Sequence, residues 1–226
     1  MPYFQGGRGR LHYRIRAVPR PRAVVALLPG SGQHSGHYQR FARALSARGI
    51  ETWALDTAGQ GLSEGDPDNP GAPAELAADA RAFTDLIRAR HPDVPLVVVG
   101  HSLGAATALT AWLECAAVVL TGTPARAVAA LPEVPAHPPV LALHGVDDRR
   151  APIDPIREWT ARGRSIGLRE YADAGHDLLH EPVHARVTAD IAKWIDGVVA
   201  EWHDDRMNRA RERGTGAISG EGGSAR

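Results

Sequence analysis

One short stretch of the chain has the pattern of a nucleophilic serine. Gly100-His101-Ser102-Leu103-Gly104 fits Gly-x-Ser-x-Gly and directly follows the apolar run Leu96–Val99. Between a strand and a helix, this pattern makes a sharp turn that exposes the serine hydroxyl, and the two glycines leave room for neighbouring backbone. Ser102 is therefore the candidate nucleophile of an acyl-transfer reaction, in preference to a glycine-rich turn with a serine helix cap.

A serine nucleophile needs a base, and the base needs a carboxylate that fixes its tautomer. Of the 11 histidines, His176 lies between the last predicted strand and the last predicted helix, in a loop that returns to the sheet edge of Ser102. Asp148 follows another predicted strand, and the order Ser, Asp, His is typical of this type of turn. The neighbouring Asp147 is the alternative carboxylate. Asp148 is preferred because its distance from Gly145 leaves the loop room to turn inward.

Acyl transfer also needs N–H donors for the oxyanion. The backbone N–H of Leu103, the residue after the nucleophile, is one candidate. The second is the backbone N–H of Ser31, because Pro29-Gly30-Ser31-Gly32 follows a buried strand and brings bare backbone close.

Strand and helix patterns alternate along the chain, which predicts a mostly parallel sheet with helices on both faces. No internal repeat or composition shift marks a second domain, so residues 1–203 are expected to form one α/β domain. Residues 204–226, rich in Gly, Arg and Ser, are expected to be a disordered tail. The predicted strands are Pro2–Gln5, Leu11–Ala17, Val24–Leu28, Thr52–Leu55, Leu96–Val99, Ala117–Leu120, Val140–Leu143 and Ile166–Tyr171. The predicted helices run over Tyr38–Leu45, Pro73–Arg90, Ala105–Cys115, a short piece at Ile156–Trp159, and Val183–Trp202.

Composition narrows the possible partners and cofactors. Lys+Arg and Asp+Glu both number 26, so nothing indicates a nucleic-acid or polybasic membrane surface. Cys115 is the only cysteine, which excludes an internal disulfide and a multi-cysteine zinc site, and it is expected to be a buried small side chain. No segment approaches the ~20 apolar residues of a membrane span. A cytoplasmic protein without metal or cofactor is therefore expected.

Four stretches of the chain resemble the monoacylglycerol lipase, lysophospholipase and serine-aminopeptidase-like branch of the α/β-hydrolase superfamily. They are Gln33–Tyr38, Ala54–Ser63, the Ser102 turn, and Gly145–Asp148 taken with Gly175-His176. The resemblance covers about residues 10 to 203 and implies the α/β-hydrolase fold, with a triad of Ser102, Asp148 and His176. The family pattern H-G-x-x-E-H-S-x-R-Y has Pro29 in place of its His and His37 in place of its Arg. The pattern R-G-H-G-x-S lacks both its Arg and its His here.

A larger departure concerns the cap that this branch inserts between the sixth and seventh strands. Here only Thr121–Pro139 is available, with five prolines, so we expect a loop with one short helical turn at Arg126–Leu131 and a shallow, open site. This favours a serine hydrolase that cleaves a small or amphiphilic carboxylic ester, similar to a lysophospholipase or monoacylglycerol lipase. A thioesterase, or an acyltransferase or cyclase on carrier-bound acyl groups, is the alternative enzyme. A non-catalytic ligand-binding protein is the alternative of another class. Two further points stay open: whether the chain forms a homodimer, and whether another subunit supplies the missing cap.

Overall fold

In a computed structural model, the chain is described over residues 1–129, 131, 138–163 and 165–216, with side chains described to Asn208. Eight strands form one sheet. They are β1 (Tyr3–Gly6), β2 (Gly9–Arg16), β3 (Ala23–Leu28), β4 (Ile50–Leu55), β5 (Leu96–His101), β6 (Ala117–Thr121), β7 (Val140–Gly145) and β8 (Ile166–Tyr171). Their order is β1-β2-β4-β3-β5-β6-β7-β8. The pairs β1–β2 and β2–β4 are antiparallel and the other neighbours are parallel. The prediction of a mostly parallel sheet is confirmed.

Helices cover both faces of this sheet. One face packs on Phe83 and Trp159, and the other on Phe41 and Ile191, each within its own apolar cluster. Every residue of β3 to β7 is buried, as expected of strands between two helical layers. The helices are α1 (Gln39–Ser46), α2 (Pro73–Arg90), α3 (Leu103–Ala111), α4 (Ala125–Ala129), α5 (Asp154–Arg162) and α6 (His184–Gly216).

Helix α3 is displaced from its predicted span of Ala105–Cys115. It begins directly after Ser102 and ends at Ala111, where Trp112 takes a left-handed conformation with φ +44°. A tryptophan rarely adopts this conformation, so a rule based on glycine or asparagine stops could not place the helix end. Cys115 therefore lies outside the helix, and burial raises the pKa of its thiol to about 12.

The last helix is longer than predicted. It continues to Gly216, past residue 203, where we expected the domain to end and a disordered tail to begin. Arg206 stabilises this extension, because its guanidinium stacks 4.7 Å from the Trp202 ring centroid and pairs with Asp93 at 2.8 Å. Residues 204–216 are thus described as helix, and residues 217–226 lie outside the described part of the chain. The division into a domain over residues 1–203 and a disordered tail stays a prediction.

The segment between β6 and β7 is too short to form a cap domain. It includes α4, which overlaps the helical turn predicted over Arg126–Leu131. Residues 130 and 132–137 lie outside the described part. Among the described helices, none is long and apolar enough to cross a membrane.

A buried carboxylate ties three segments together at the end of β4. Asp56 is fully buried and accepts hydrogen bonds from His12 Nδ1 at 2.9 Å, the Ser35 N–H at 2.6 Å and the Leu62 N–H at 2.9 Å. Burial opposes its ionisation, but the hydrogen bonds from Leu62, Ser35 and His12 outweigh burial and hold the pKa of Asp56 below its ordinary value. Asp56 is therefore ionised, and its carboxylate holds the loop after β4 in place.

We expect D56N to lower the free energy of unfolding by about 2 to 3 kcal/mol at neutral pH. The asparagine side chain has no charge, and its NH₂ group would face N–H donors where Asp56 has an acceptor oxygen. The pKa of Asp56 is lowered by folding, so its contribution is complete above the unfolded value of about 3.9 and is lost as pH falls through the folded pKa. Urea unfolding at several pH values measures this. The difference between wild type and D56N should shrink below about pH 4, whereas the exposed-site control D68N should stay near wild type throughout. A D56N penalty that does not depend on pH would contradict the assignment.

Candidate active site

The turn between β5 and α3 holds Ser102 in a strained backbone conformation. Its φ is +50° and its ψ is −108°, angles that a non-glycine residue rarely adopts. A Cβ on Gly104 would stand 1.9 Å from the carbonyl oxygen of Leu28, so only glycine allows this approach of β3. The Ser102 N–H donates to the Thr121 carbonyl at 2.9 Å, which anchors the turn to β6. The backbone thus directs the Ser102 side chain out at the carboxyl end of β5.

Two further side chains meet Ser102 in the arrangement that the sequence predicts. His176 Nε2 lies 3.0 Å from Ser102 Oγ, and His176 Nδ1 lies 2.8 Å from Asp148 Oδ2. A carboxylate only accepts hydrogen bonds, so Nδ1 carries a proton, and in the neutral ring Nε2 is free to accept the serine proton. The side chains therefore form a relay from Ser102 through His176 to Asp148.

The loop after β7 holds Asp148 inward and Asp147 outward. Asp148 is buried, and its Oδ1 accepts the N–H groups of Arg150 at 2.9 Å and Ala151 at 2.8 Å. The Asp147 side chain is exposed, and its N–H donates to the Ala174 carbonyl at 3.0 Å. The loop after β7 thus packs against the loop that carries His176, and this packing places Asp148 beside His176.

A second histidine lies beside the same carboxylate. His144 is fully buried, with Nε2 at 2.7 Å from the Ala151 carbonyl and 3.3 Å from Asp148 Oδ2. Burial lowers the pKa of His144, so the ring is neutral and Nε2 is its donor. Sequence reasoning missed this residue, although its place four positions before Asp148 at the end of a strand was a usable signal.

The loop that carries His176 is held by Glu181, which sequence reasoning also missed. One oxygen of Glu181 accepts the Gly175 N–H at 2.6 Å, and the other accepts the Asp177 N–H at 2.9 Å. The two bonds bracket His176 on both sides. A single carboxylate thus fixes the backbone from which the imidazole projects.

The two predicted oxyanion donors have free N–H groups. Leu103 is the first residue of α3, where the N–H has no partner within the helix. Ser31 lies in a turn closed by the Gln33 N–H on the Gly30 carbonyl at 3.1 Å. Within the described part of the chain, neither the Leu103 nor the Ser31 N–H donates to a protein acceptor.

An apolar recess of about 520 Å³ opens beside the turn, which the sequence-based expectation of a shallow site did not include. Leu103, Ala106 and Thr110 line it along one face of α3, and Trp112 and Leu131 also line it. Its volume is within the range of small-molecule sites. Trp112, the residue with the left-handed backbone, is therefore part of the recess.

Two other kinds of site concern metal-ligand clusters and the cysteine of the described residues. Over that part of the chain, no group of three His, Cys, Asp or Glu side chains could hold a metal ion. Cys115 stands just before β6, at the opposite end of the parallel strands from Ser102.

Comparison with known proteins places this geometry in a family. The serine aminopeptidase S33 profile matches residues 19–135, just over half of the chain. A monoacylglycerol lipase from Mycolicibacterium smegmatis is 29% identical over 187 residues, which are 79% of this chain and 62% of that protein. The chain therefore spans less than two thirds of the length of this relative.

Solved structures share the fold at low sequence identity. A thermostable carboxyl esterase from Bacillus coagulans superposes with a TM-score of 0.76 at 15% identity, covering 88% of this chain and 98% of that one. An α/β serine hydrolase without a lid from Xanthomonas campestris superposes with a TM-score of 0.68 at 21% identity, covering 89% and 93%. The sheet order, the strained serine turn and the profile match agree, and the chain belongs to the serine aminopeptidase S33 family of α/β hydrolases.

Proposed function

We propose that the protein is a serine hydrolase that cleaves carboxylic esters through an acyl-enzyme on Ser102. The observation that carries this proposal is the relay itself, in which His176 lies within hydrogen-bond distance of both Ser102 Oγ and Asp148. A histidine held in one tautomer against a serine hydroxyl is the arrangement that activates serine for attack.

In the first half of the reaction, His176 Nε2 takes the hydroxyl proton while Ser102 Oγ bonds to the ester carbonyl carbon. The carbonyl oxygen becomes an oxyanion and accepts hydrogen bonds from the N–H groups of Leu103 and Ser31, each of which is worth on the order of 3 kcal/mol in such sites. Asp148 stabilises the imidazolium. When the C–O bond to the alcohol breaks, His176 returns the proton to the leaving alkoxide, which departs as an alcohol.

In the second half, water replaces the alcohol. His176 takes a proton from water, the hydroxide oxygen bonds to the acyl carbon, and the bond to Ser102 Oγ breaks. The proton passes to Ser102, and a carboxylic acid leaves. The relay is then restored, so no cofactor is consumed in the cycle.

We infer that the substrate is a small amphiphilic ester of the monoacylglycerol type, with its acyl chain in the recess along α3. Several features support this. The recess is apolar and starts at Leu103, the neighbour of the nucleophile. The segment between β6 and β7 is too short for a cap that would bury a long chain. The mycobacterial relative is named a monoacylglycerol lipase.

Filling the recess tests this substrate class. We expect A106W to lower kcat/KM for octanoyl glycerol at least about tenfold, because the indole occupies space that several buried methylene groups would take. Acetyl ester turnover should change little. The measurement is kcat/KM over acetyl, octanoyl and palmitoyl esters and the matching thioesters, with A189W on the exposed side of α6 as control.

Two outcomes would contradict the recess assignment. One is an equal loss of acetyl and octanoyl turnover in A106W with a native unfolding midpoint. The other is wild-type chain-length preference in A106W. A wild-type enzyme that turns over only thioesters would instead redirect the proposal to a thioesterase.

A further inference from the structure

A second hydrogen-bonded network lies beside the triad histidine. Asp177, the residue after His176, accepts hydrogen bonds at Oδ1 from His101 Nε2 at 3.0 Å and from Gln33 Nε2 at 2.8 Å. The Tyr38 hydroxyl in turn donates to Gln33 Oε1, which sets the orientation of the amide. The network therefore has one carboxylate at its centre and a chain of fixed donors around it.

His101 anchors this network in the core and packs against the triad. Its side chain is buried, and its Nδ1 lies 3.0 Å from Thr121 Oγ1. The ring centroids of His101 and His176 are 5.0 Å apart. Gly122 keeps this contact open, because a Cβ there would stand 3.0 Å from Cε1 of both rings. The two imidazoles are thus neighbours without an intervening side chain.

The network joins the three loops that carry the reacting groups. Gln33 closes the turn that presents the Ser31 N–H, His101 directly precedes Ser102, and Asp177 directly follows His176. Each loop comes from a different strand end, so their relative positions depend on contacts between loops. Misplacing such groups by about 1 Å can cost on the order of a hundredfold in rate.

We propose that Asp177 is a positioning residue: through Gln33 and His101 it holds the oxyanion turn and the His176 loop in register with the nucleophile. This inference rests on the proposed serine-hydrolase function for its consequence in catalysis. The hydrogen bond between Asp177 and Gln33 can be measured without turnover.

The other contacts of His176 do not involve the Asp177 side chain. Asp148 contacts Nδ1, the His101 ring packs on the imidazole, and Glu181 binds the N–H groups on either side. The hydrogen bond from His101 holds the pKa of Asp177 well below its ordinary value, so Asp177 is a carboxylate acceptor at neutral pH. Removing this acceptor therefore tests the network alone.

The decisive variant is D177A, which removes the acceptor of His101 and Gln33. The measurement is the rate at which a fluorophosphonate labels Ser102, together with the thermal midpoint. We expect the labelling rate to fall about tenfold with a thermal midpoint near that of wild type, because the reacting groups lose their relative positions. The variant D177N, which keeps an oxygen acceptor for His101 and Gln33, should restore most of the rate.

The matched control is D173N, an exposed aspartate in the same loop with φ +54°, a conformation that asparagine tolerates. An unchanged labelling rate in a folded D177A, or an equal loss in D173N, would overturn the proposal. The NMR signal of the Gln33 side-chain amide, identified by its absence in Q33A, should move in D177A because it loses its acceptor. If that signal moves but wild type reacts with no ester or fluorophosphonate, the proposed hydrolase function fails and the network stands.

If D177A does not fold, Q33A replaces it, because Q33A removes the donor of the same hydrogen bond. We expect the rate of Ser102 labelling by a fluorophosphonate to fall about tenfold, with the thermal midpoint near that of wild type. An unchanged labelling rate in a folded Q33A would overturn the positioning role.

Discussion

Replacing Ser102 by alanine is expected to lower kcat for p-nitrophenyl acetate by about 10⁶-fold, to the background of the assay. The variant removes the hydroxyl that lies within hydrogen-bond distance of His176 Nε2 and that forms the proposed acyl-enzyme. Fluorophosphonate labelling should vanish with it, since the probe bonds to the same oxygen. The fold should be retained, because alanine still fits the turn even though its φ is strained.

A matched control and a clear contrary result accompany this variant. S46A, at the end of α1 and away from the relay, should keep wild-type turnover and labelling. Labelling in S102A equal to wild type would assign the nucleophile to another residue. Absence of labelling in wild type would favour a ligand-binding protein on this fold.

Replacing Asp148 by asparagine is expected to lower kcat by about 10³- to 10⁴-fold with a smaller change in KM. The asparagine oxygen can still accept the N–H groups of Arg150 and Ala151. Its amide nitrogen then faces His176 Nδ1 and favours the tautomer with the proton on Nε2. In that tautomer Nε2 already carries a proton, so it cannot accept the proton of Ser102 and cannot act as the base.

Asp147 provides the control for this prediction because it differs from Asp148 by one position. Its side chain is exposed, so D147N should retain kcat within about twofold, as surface changes usually do. Steady-state kinetics and thermal midpoints of both variants make the comparison. A greater loss of kcat in D147N than in D148N would contradict the placement of Asp148 beside His176.

The two carboxylates near His176 have different roles. Asp148 is buried and binds Nδ1 directly, so it selects the tautomer. Asp177 is partly exposed and accepts hydrogen bonds from His101 and Gln33, so it acts on the relative position of the loops. Removing Asp148 should therefore cost most of the rate, whereas removing the Asp177 acceptor should cost about tenfold.

The features that sequence alone determined are those with local physical causes. Apolar runs such as Leu96–Val99 have only one stable place, a strand buried on both faces. Helix α2 begins and ends as predicted, because Pro73 occupies its first turn and Pro92 follows its end. The strand–turn–helix context of Ser102 is equally local, since two glycines and a serine suffice to specify the sharp turn. The loop position of His176 follows from the order of these elements.

The remaining features depend on residues that are distant in the sequence. The spacing from Gly145 favoured Asp148 over Asp147, but the contact of Asp148 with His176 depends on how one loop packs against another. The network of Gln33, His101 and Asp177 joins positions separated by up to 144 residues, and the recess along α3 is lined in part by Trp112, whose backbone is left-handed. Such contacts form only when separate strand ends meet at one edge of the sheet. For this reason the sequence identified the candidate reacting groups, and the tertiary structure decided which side chains hold them.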